Sequence, residues 1–519
     1  MVSCTKEFNP ESVSEGKAIT FTVAPEIIGQ GTKATLDGTG VVFQANDAVS
    51  VLSGSENAKF TTVAGGATAN FSGTASDAEQ YVVLSPYNAN ATLASASVVN
   101  ITIPSVQVAT PGGVDPNALI SAGILRPSDS SVQLYNVVGL LKIVVPGGIT
   151  VKQIQIGGGR GASIGICGDY TFNASSQVLG VVSMSSIITL VPAEGEDVIG
   201  PGTYYVAVRP KPDYEGLVIA YVNGDNQLCK RVSTSGNTIL INRNHIVPIG
   251  SLDSNYAPVT GRATLRYAGP TPQFTGLIKQ LAGGNGGLTD ADNVVKKIVF
   301  KAHTLYSQAY KGKVKVNGND IENLISNGPN TDVQIYAWVE GDTAYVCTEA
   351  PIITLYGSTT TNSANLFRDF AALEEVTFND VNTMADASFE YMFRNCTKLK
   401  SVDFGNADFS KVTNFSYMFY TGTSALEYVD LGETATTSAT TMQSMFNNNQ
   451  NLKYLNLGPN FTLAATHTNM FLDAARQTSI DAAGDNDKKC QLYASQAFYT
   501  DVRANESTFN AARFNFHAQ

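Results

Sequence analysis

The stretch Phe393-Arg394-Asn395-Cys396-Thr397-Lys398-Leu399-Lys400-Ser401-Val402-Asp403-Phe404, preceded by Met392, decides the fold because its landmarks return at a fixed interval. The Met-Phe pair recurs at Met418-Phe419, Met445-Phe446 and Met470-Phe471, at separations of 26, 27 and 25 residues, and Leu366-Phe367 stands one 26-residue step upstream. The first four of these pairs along the chain are each followed by apolar residues at Leu-x-x-Val-x-Phe spacing: Leu373/Val376/Phe378, Leu399/Val402/Phe404, Leu426/Val429/Leu431 and Leu452/Leu455/Leu457. A period in the twenties is the signature of a solenoid, in which each unit buries its apolar edge against the next.

The last two apolar residues of each set alternate as a strand requires, and the segment closing on the Met-Phe pair, such as Phe389 to Phe393, is long enough for a short helix. One repeat is therefore expected to be one strand and one helix. With Val402 and Phe404 inward, Ser401 and Asp403 point out; Tyr428 with Asp430 and Tyr454 with Asn456 follow, after Glu375 with Thr377. Rungs about 4.8 Å apart would set Asp403 against Asp430 unless water, a basic group or a cation intervenes. Ser401, Asp403, Tyr428, Asp430, Tyr454 and Asn456 form the candidate ligand-binding face, a tyrosine pair beside carboxylates suited to sugar or protein. Lys400 and Lys453 would partly compensate its charge.

This pattern resembles the BspA-like class of leucine-rich-repeat surface proteins, whose units carry Met-Phe, a following Leu and a short strand. The resemblance covers roughly residues 350 to 475 and implies adhesion to host or microbial surfaces.

At 519 residues the chain exceeds one core, and a soft prior of about 150 residues per domain gives three or four. Its formal charge is −11, yet only 15% of residues are charged, and no Lys/Arg-rich block offers phosphate binding, so nucleic acid is excluded as an expected partner. No apolar run is long enough for a membrane helix; the longest, near Val137 to Val145, carries Lys142. The six cysteines show no Cys-x-x-Cys spacing. Cys167 and Cys229 fall in one expected domain, where a pairing is left open. Met1-Val2-Ser3-Cys4 looks like the tail of a lipobox, which implies lipidation of Cys4, with Thr5 to Lys17 as a tether and an outer-membrane surface location.

Residues 18 to 110 read as β throughout, with runs such as Ile19-Thr20-Phe21-Thr22-Val23 and Val99-Asn100-Ile101-Thr102-Ile103 between Gly, Asn and Pro. The order of Phe21-Thr22-Val23, Thr32-Lys33-Ala34-Thr35 and Val42 to Val51 resembles the opening of fimbrillin-like proteins, the subunits of donor-strand-exchanged type V pili. Val132 to Asn136, Leu140 to Val145, Val151 to Ile156, Gly202 to Pro210 and Ile239 to Gly250 resemble their second sandwich. Two departures stand out. No arginine precedes Arg126, so maturation at an arginine near the first strand is not implied, and the chain continues into repeats where a stalk subunit would end. The resemblance therefore implies a tip, accessory or stand-alone adhesin.

Candidate chemistry is sparse. Gly161-Ala162-Ser163-Ile164-Gly165 matches a nucleophile elbow, but the following Ile166 to Phe172 reads as a strand where that motif needs a helix. Asp485-Asn486-Asp487 and Asp290-Ala291-Asp292 lack the spaced glutamate of a calcium loop, and His245, His303, His467 and His517 form no metal spacing. No catalytic, cofactor-binding or metal-ligating residue is expected.

The expected fold is mainly β: two fimbrillin-like, transthyretin-like β-sandwiches followed by a leucine-rich-repeat α/β solenoid. The expected segments are a tether (1–17), sandwich 1 (18–130), sandwich 2 (131–255), linker and β-rich cap (256–350), repeats (351–475) and C-terminal cap (476–519). The expected function is non-enzymatic adhesion to a host extracellular or microbial surface protein or glycan, with other pilus subunits as partners if strand exchange occurs. The alternatives are a glycan-capturing lipoprotein of a polysaccharide uptake system, to which Trp338 as sole tryptophan gives little support, and a surface glycoside hydrolase using paired carboxylates.

Overall fold

The computed structural model describes residues 16–28, 42–158, 165–214, 216–231, 239–266, 273–283, 294–305, 313–316, 319–325, 332–356, 366–385, 387–420, 425–481 and 484–519. The chain divides into two units, residues 1–224 with 231–256, and residues 225–230 with 257–519.

In the first unit, alternating Val, Ile, Thr and Phe favour extended chain with one face buried. Strands Lys17–Pro25, Ser131–Asn136, Ser121–Leu125, Tyr81–Ser85, Ala48–Ser53, Glu56–Thr62 and Ala69–Ala75 follow one another around a closed barrel. Lys17–Pro25 completes it, antiparallel to Ala69–Ala75 with Phe21 opposite Phe71, and parallel to Ser131–Asn136. Phe21, Phe60 and Phe71 are buried inside, the first two with ring centroids 5.5 Å apart.

The strand pairing crosses the expected boundary at residue 130 in both directions. Ser131–Asn136 belongs to the barrel, whereas Val98–Ile103 pairs with Gly168–Asn173 and Val106–Val108 with Ile187–Val191. Local alternation shows that a strand exists but not which distant strand it joins. Gly139–Val145 lies between Gly202–Val208, antiparallel, and Ile246–Ser251, parallel. Cys167 and Cys229 are both buried thiols, so the disulfide left open between them is not formed; the Cys167 thiol donates to the Ile187 carbonyl at 3.3 Å instead.

The second unit is built on a nine-stranded sheet in the order Ile335–Glu340, Thr343–Thr348, Lys297–Lys301, Glu375–Phe378, Ser401–Asp403, Tyr428–Asp430, Tyr454–Gly458, Cys490–Ala494 and Phe514–Ala518. From Thr343–Thr348 onward every neighbour is parallel. Val376, Val402, Val429, Leu455 and Leu492 form its buried column. Behind them runs a spine of phenylalanines, Phe367, Phe393, Phe419, Phe446 and Phe471, with successive centroids 5.1, 5.5, 5.4 and 5.4 Å apart.

One expectation fails in this unit. The repeat is not α/β, because Phe389 to Phe393 and its equivalents are turns, and the α-helices among the described residues lie outside residues 351–475, at Gln273–Leu281, Arg476–Asp481 and Gln496–Asn505. Tyr391 and Asn395 sit at φ 57° and 63°, values no α-helix tolerates, and the N–H groups of Phe389, Tyr391 and Phe393 donate to Asn414, Ser416 and Met418 on the next repeat. Hydrogen bonds that a helix would keep within itself are spent between rungs, which makes an all-β solenoid. The core and the sheet continue into the segments expected as caps on either side of residues 351–475. Ala263–Arg266 pairs in parallel with Ile353–Tyr356, Phe274 and Ile278 of the helix Gln273–Leu281 are buried in the same core, and Cys490–Ala494 and Phe514–Ala518 add two further rungs.

Candidate functional site

Because side chains alternate along a strand, the parallel register turns each outward position into a column. One column runs Glu375, Ser401, Tyr428, Tyr454, Gln491, Asn515; the other runs Thr377, Asp403, Asp430, Asn456, Tyr493, His517. All six residues singled out in the sequence are half-buried on this face and stand in adjacent rungs. The Tyr428 and Tyr454 rings stack at 4.5 Å and 8°. The row continues through Tyr493, 5.2 Å from Tyr454, to His517, stacked on Tyr493 at 4.4 Å. Sequence reasoning missed Tyr493 and His517 because the Met-Phe signal ends at Phe471, although Gln491-Leu492-Tyr493 alternates as a rung should.

The acidic residues do more than line the face. The Asp403 carboxylate accepts the Gly405 N–H at 2.7 Å, Asp430 that of Gly432 at 2.8 Å, and the Asn456 amide oxygen that of Gly458 at 2.9 Å. Each glycine is left-handed, at φ 50°, 58° and 74°, so the outward Asp or Asn caps the turn that ends its own strand. Asp430 also accepts from the Tyr428 hydroxyl at 3.2 Å and from the Asn456 amide at 2.9 Å. Donors within the rungs thus face both carboxylates. Lys400 and Lys453 do not serve these carboxylates; they pair with Glu374 at 2.6 Å and Glu427 at 3.0 Å. Burial, and then the Asp430 charge, raise the Tyr428 and Tyr454 phenols above their ordinary range, so both are hydroxyls at neutral pH. Beyond the turn glycines lies a concavity of about 450 Å³ lined by Asp403, Asp430, Glu433, Asn456 and Pro459. The face offers fixed rows of phenol, amide and carboxylate groups, a chemistry of recognition.

Cys4, Asp290, Asp292 and residues 161–164 of the Gly-x-Ser-x-Gly stretch lie outside the described residues. Asp485 caps the short helix Asn486–Lys488 and pairs with Lys488 at 3.1 Å, a structural use of its carboxylate. Among the described residues no three His, Cys, Asp or Glu side chains come together as a metal site, and no helix is long and apolar enough to cross a membrane.

A family model described as "Mycoplasma protein of unknown function, DUF285" matches residues 350–482. No curated protein matches the sequence. Among solved structures, a candidate cell adhesion protein from Bacteroides uniformis is similar at 14% identity and a TM-score of 0.29, covering 48% of this chain and 98% of its own. A fimbrial protein from Bacteroides ovatus is similar at 10% identity and a TM-score of 0.22, over 49% of this chain and 53% of its own. The tip fimbrial protein Mfa3 from Porphyromonas gingivalis, with a C-terminal truncation, is similar at 10% identity and a TM-score of 0.19, over 46% and 98%. Such scores leave function to be argued from the residues.

Proposed function

We propose that this chain is a non-enzymatic cell-surface adhesin that binds a host or microbial surface protein or glycan through the rung face carrying Ser401, Asp403, Tyr428, Asp430, Tyr454 and Asn456. The observation that carries the reading is the alignment of the stacked Tyr428 and Tyr454 in one outward column beside Asp403, Asp430 and Asn456 in the other, on a stack of parallel strands. A sheet face of this kind is preorganised, so little side-chain entropy is lost when a partner docks. Supporting the wider reading are the BspA-like repeats and the fimbrillin-like order of strands in the sequence. Lipidation of Cys4 would hold the protein at the outer membrane. If strand Lys17–Pro25 were removed, the barrel would lose a member hydrogen-bonded on both sides, and a strand from another pilus subunit would fit the gap.

The test is binding of the full-length protein to arrays of extracellular-matrix proteins and glycans, against the variant Tyr428→Ala/Tyr454→Ala/Asp430→Asn. Asparagine is chosen at residue 430 because Asn456 already caps the equivalent turn. Binding lost with an unchanged melting temperature supports the proposal. Undiminished binding, or none by the native protein, rejects it.

A further inference from the structure

The turns of the repeats carry a second aromatic stack that the rung face does not include. Tyr391, Tyr417, Ser444 and Asn469 occupy the same place in successive repeats, because the N–H of Tyr391 donates to Ser416, that of Tyr417 to Gln443 and that of Ser444 to Thr468. All four are left-handed, at φ 57°, 56°, 54° and 60°. Asn is at home there and Ser is small, but tyrosine is a bulky outlier in that region of backbone space. Two adjacent repeats nonetheless place a tyrosine there, and the two rings stack at 4.9 Å and 17°.

Core packing does not explain this choice. The neighbouring Met392, Phe393, Met418 and Phe419 are fully buried, whereas Tyr391 and Tyr417 are only half-buried and stand outside that core. The Arg394 guanidinium lies 5.0 Å from the Tyr391 ring centroid, and Tyr417 receives its other ring contact edge-on from Tyr420 at 6.1 Å. On the side of the next repeat the column continues with Ser444, so no third ring follows Tyr417. The Gln443 amide donates to the Tyr417 oxygen at 3.0 Å, and Asn414, whose oxygen accepts the N–H of Ser416 beside Tyr417 at 2.8 Å, directs its amide to the Glu390 carboxylate at 3.5 Å.

An aromatic face bordered by amide and carboxylate groups is complementary to a pyranose, which offers an apolar C–H face and a rim of hydroxyls. We propose that Tyr417 is the platform of a separate carbohydrate site, on which one pyranose ring of a glycan stacks in the place a third tyrosine would occupy, with Gln443 and Asn414 as hydroxyl partners. The site is independent of the rung face and stands or falls apart from it.

The test is saturation-transfer NMR and titration of the full-length protein with mannotriose, maltotriose, cellotriose and chitotriose. At least one is expected to bind, and Tyr417→Asn, which installs the residue Asn469 already carries in this place, is expected to weaken it about ten-fold while the protein still melts cooperatively. Tyr417→Phe should retain binding, and so should Lys398→Ala, an exposed position outside both faces. If Tyr417→Asn does not fold, Tyr417→Ser, the residue of the next repeat, carries the same comparison. Failure of all four sugars to bind, or equal binding by the Tyr417 variant, overturns the proposal.

Discussion

Replacing Gly432 by alanine would show whether the turn glycines set the spacing of the rungs. Gly432 has φ +58, a conformation that costs an L residue about 1–2 kcal/mol, and a Cβ there would stand 2.5 Å from the carbonyl oxygen of Gly405 on the preceding rung. That oxygen belongs to backbone locked in the stack, so relief means parting two rungs, an overpacking cost of about 1–3 kcal/mol. Gly341 and Gly484 separate the two costs: their φ values are +60 and +81, but nothing lies within 4 Å of an added Cβ. Alanine at either should therefore lose only the conformational cost. In a unit of this size each kcal/mol moves the melting temperature by about 2–4 °C, so a central loss of about 3 kcal/mol at Gly432 means about 6–12 °C. Urea unfolding of the full-length protein, followed by far-UV circular dichroism, measures all three variants under one protocol. Equal losses at Gly432, Gly341 and Gly484 would show that contact between rungs adds nothing and would refute the reasoning.

Other expectations come from the core and from burial. Phe419 is fully buried between Phe393 and Phe446 in the spine, so Phe419→Ala should cost about 3–5 kcal/mol in the same denaturation assay, with Phe419→Leu losing much less. Burial raises the Cys396 and Cys490 thiols well above their ordinary value and pushes Cys347 up to about 12, so a disulfide reagent at about pH 8 should leave all three unmodified in the native protein and modify them after unfolding. The folded state holds the Tyr428 and Tyr454 protons more tightly than the unfolded chain, so their stabilisation is complete below about pH 10 and disappears as pH rises through their higher folded values. Asp430→Asn should shift the Tyr428 and Tyr454 ionisations downward in an ultraviolet absorbance titration, since the Asp430 charge is the second cause of both shifts.

The solenoid was legible because its core is periodic: Val402, Val429 and Leu455 recur at one place in the repeat, and each is buried where the spacing puts it. The same argument oriented Ser401, Tyr428 and Tyr454 outward. What periodicity could not show was the state of the segment before the Met-Phe pair, because a handful of apolar residues fits a turn of helix and a bent chain equally well. The deciding residues, Tyr391 and Asn395, act through backbone angles, and tyrosine gives no hint of a left-handed angle. The capping role of the acidic column was legible in principle, since Asp403-Phe404-Gly405, Asp430-Leu431-Gly432 and Asn456-Leu457-Gly458 repeat an Asx-x-Gly pattern. In the first half, the strands were visible but their partners were not, as Val98–Ile103 joins a strand across the expected boundary.

Within a repeat protein, features shared by every rung are explained by stacking, and departures from the repeat are where recognition can be sought. The phenylalanine spine and the inward Val and Leu column belong to the first kind, and the Asx-capped glycines recur in three successive rungs, so charge at Asp403 and Asp430 is by itself weak evidence of a binding site. The tyrosines belong to the second. Ser401 shows that the column holding Tyr428 and Tyr454 accepts a small polar residue, and Ser444 shows the same for the column holding Tyr391 and Tyr417. Stacking does not require a ring at any of the four positions, and at two of them the backbone disfavours one. Tyr428, Tyr454, Tyr391 and Tyr417 therefore carry the case for binding, and variants that remove these rings while keeping the Asx caps separate recognition from folding.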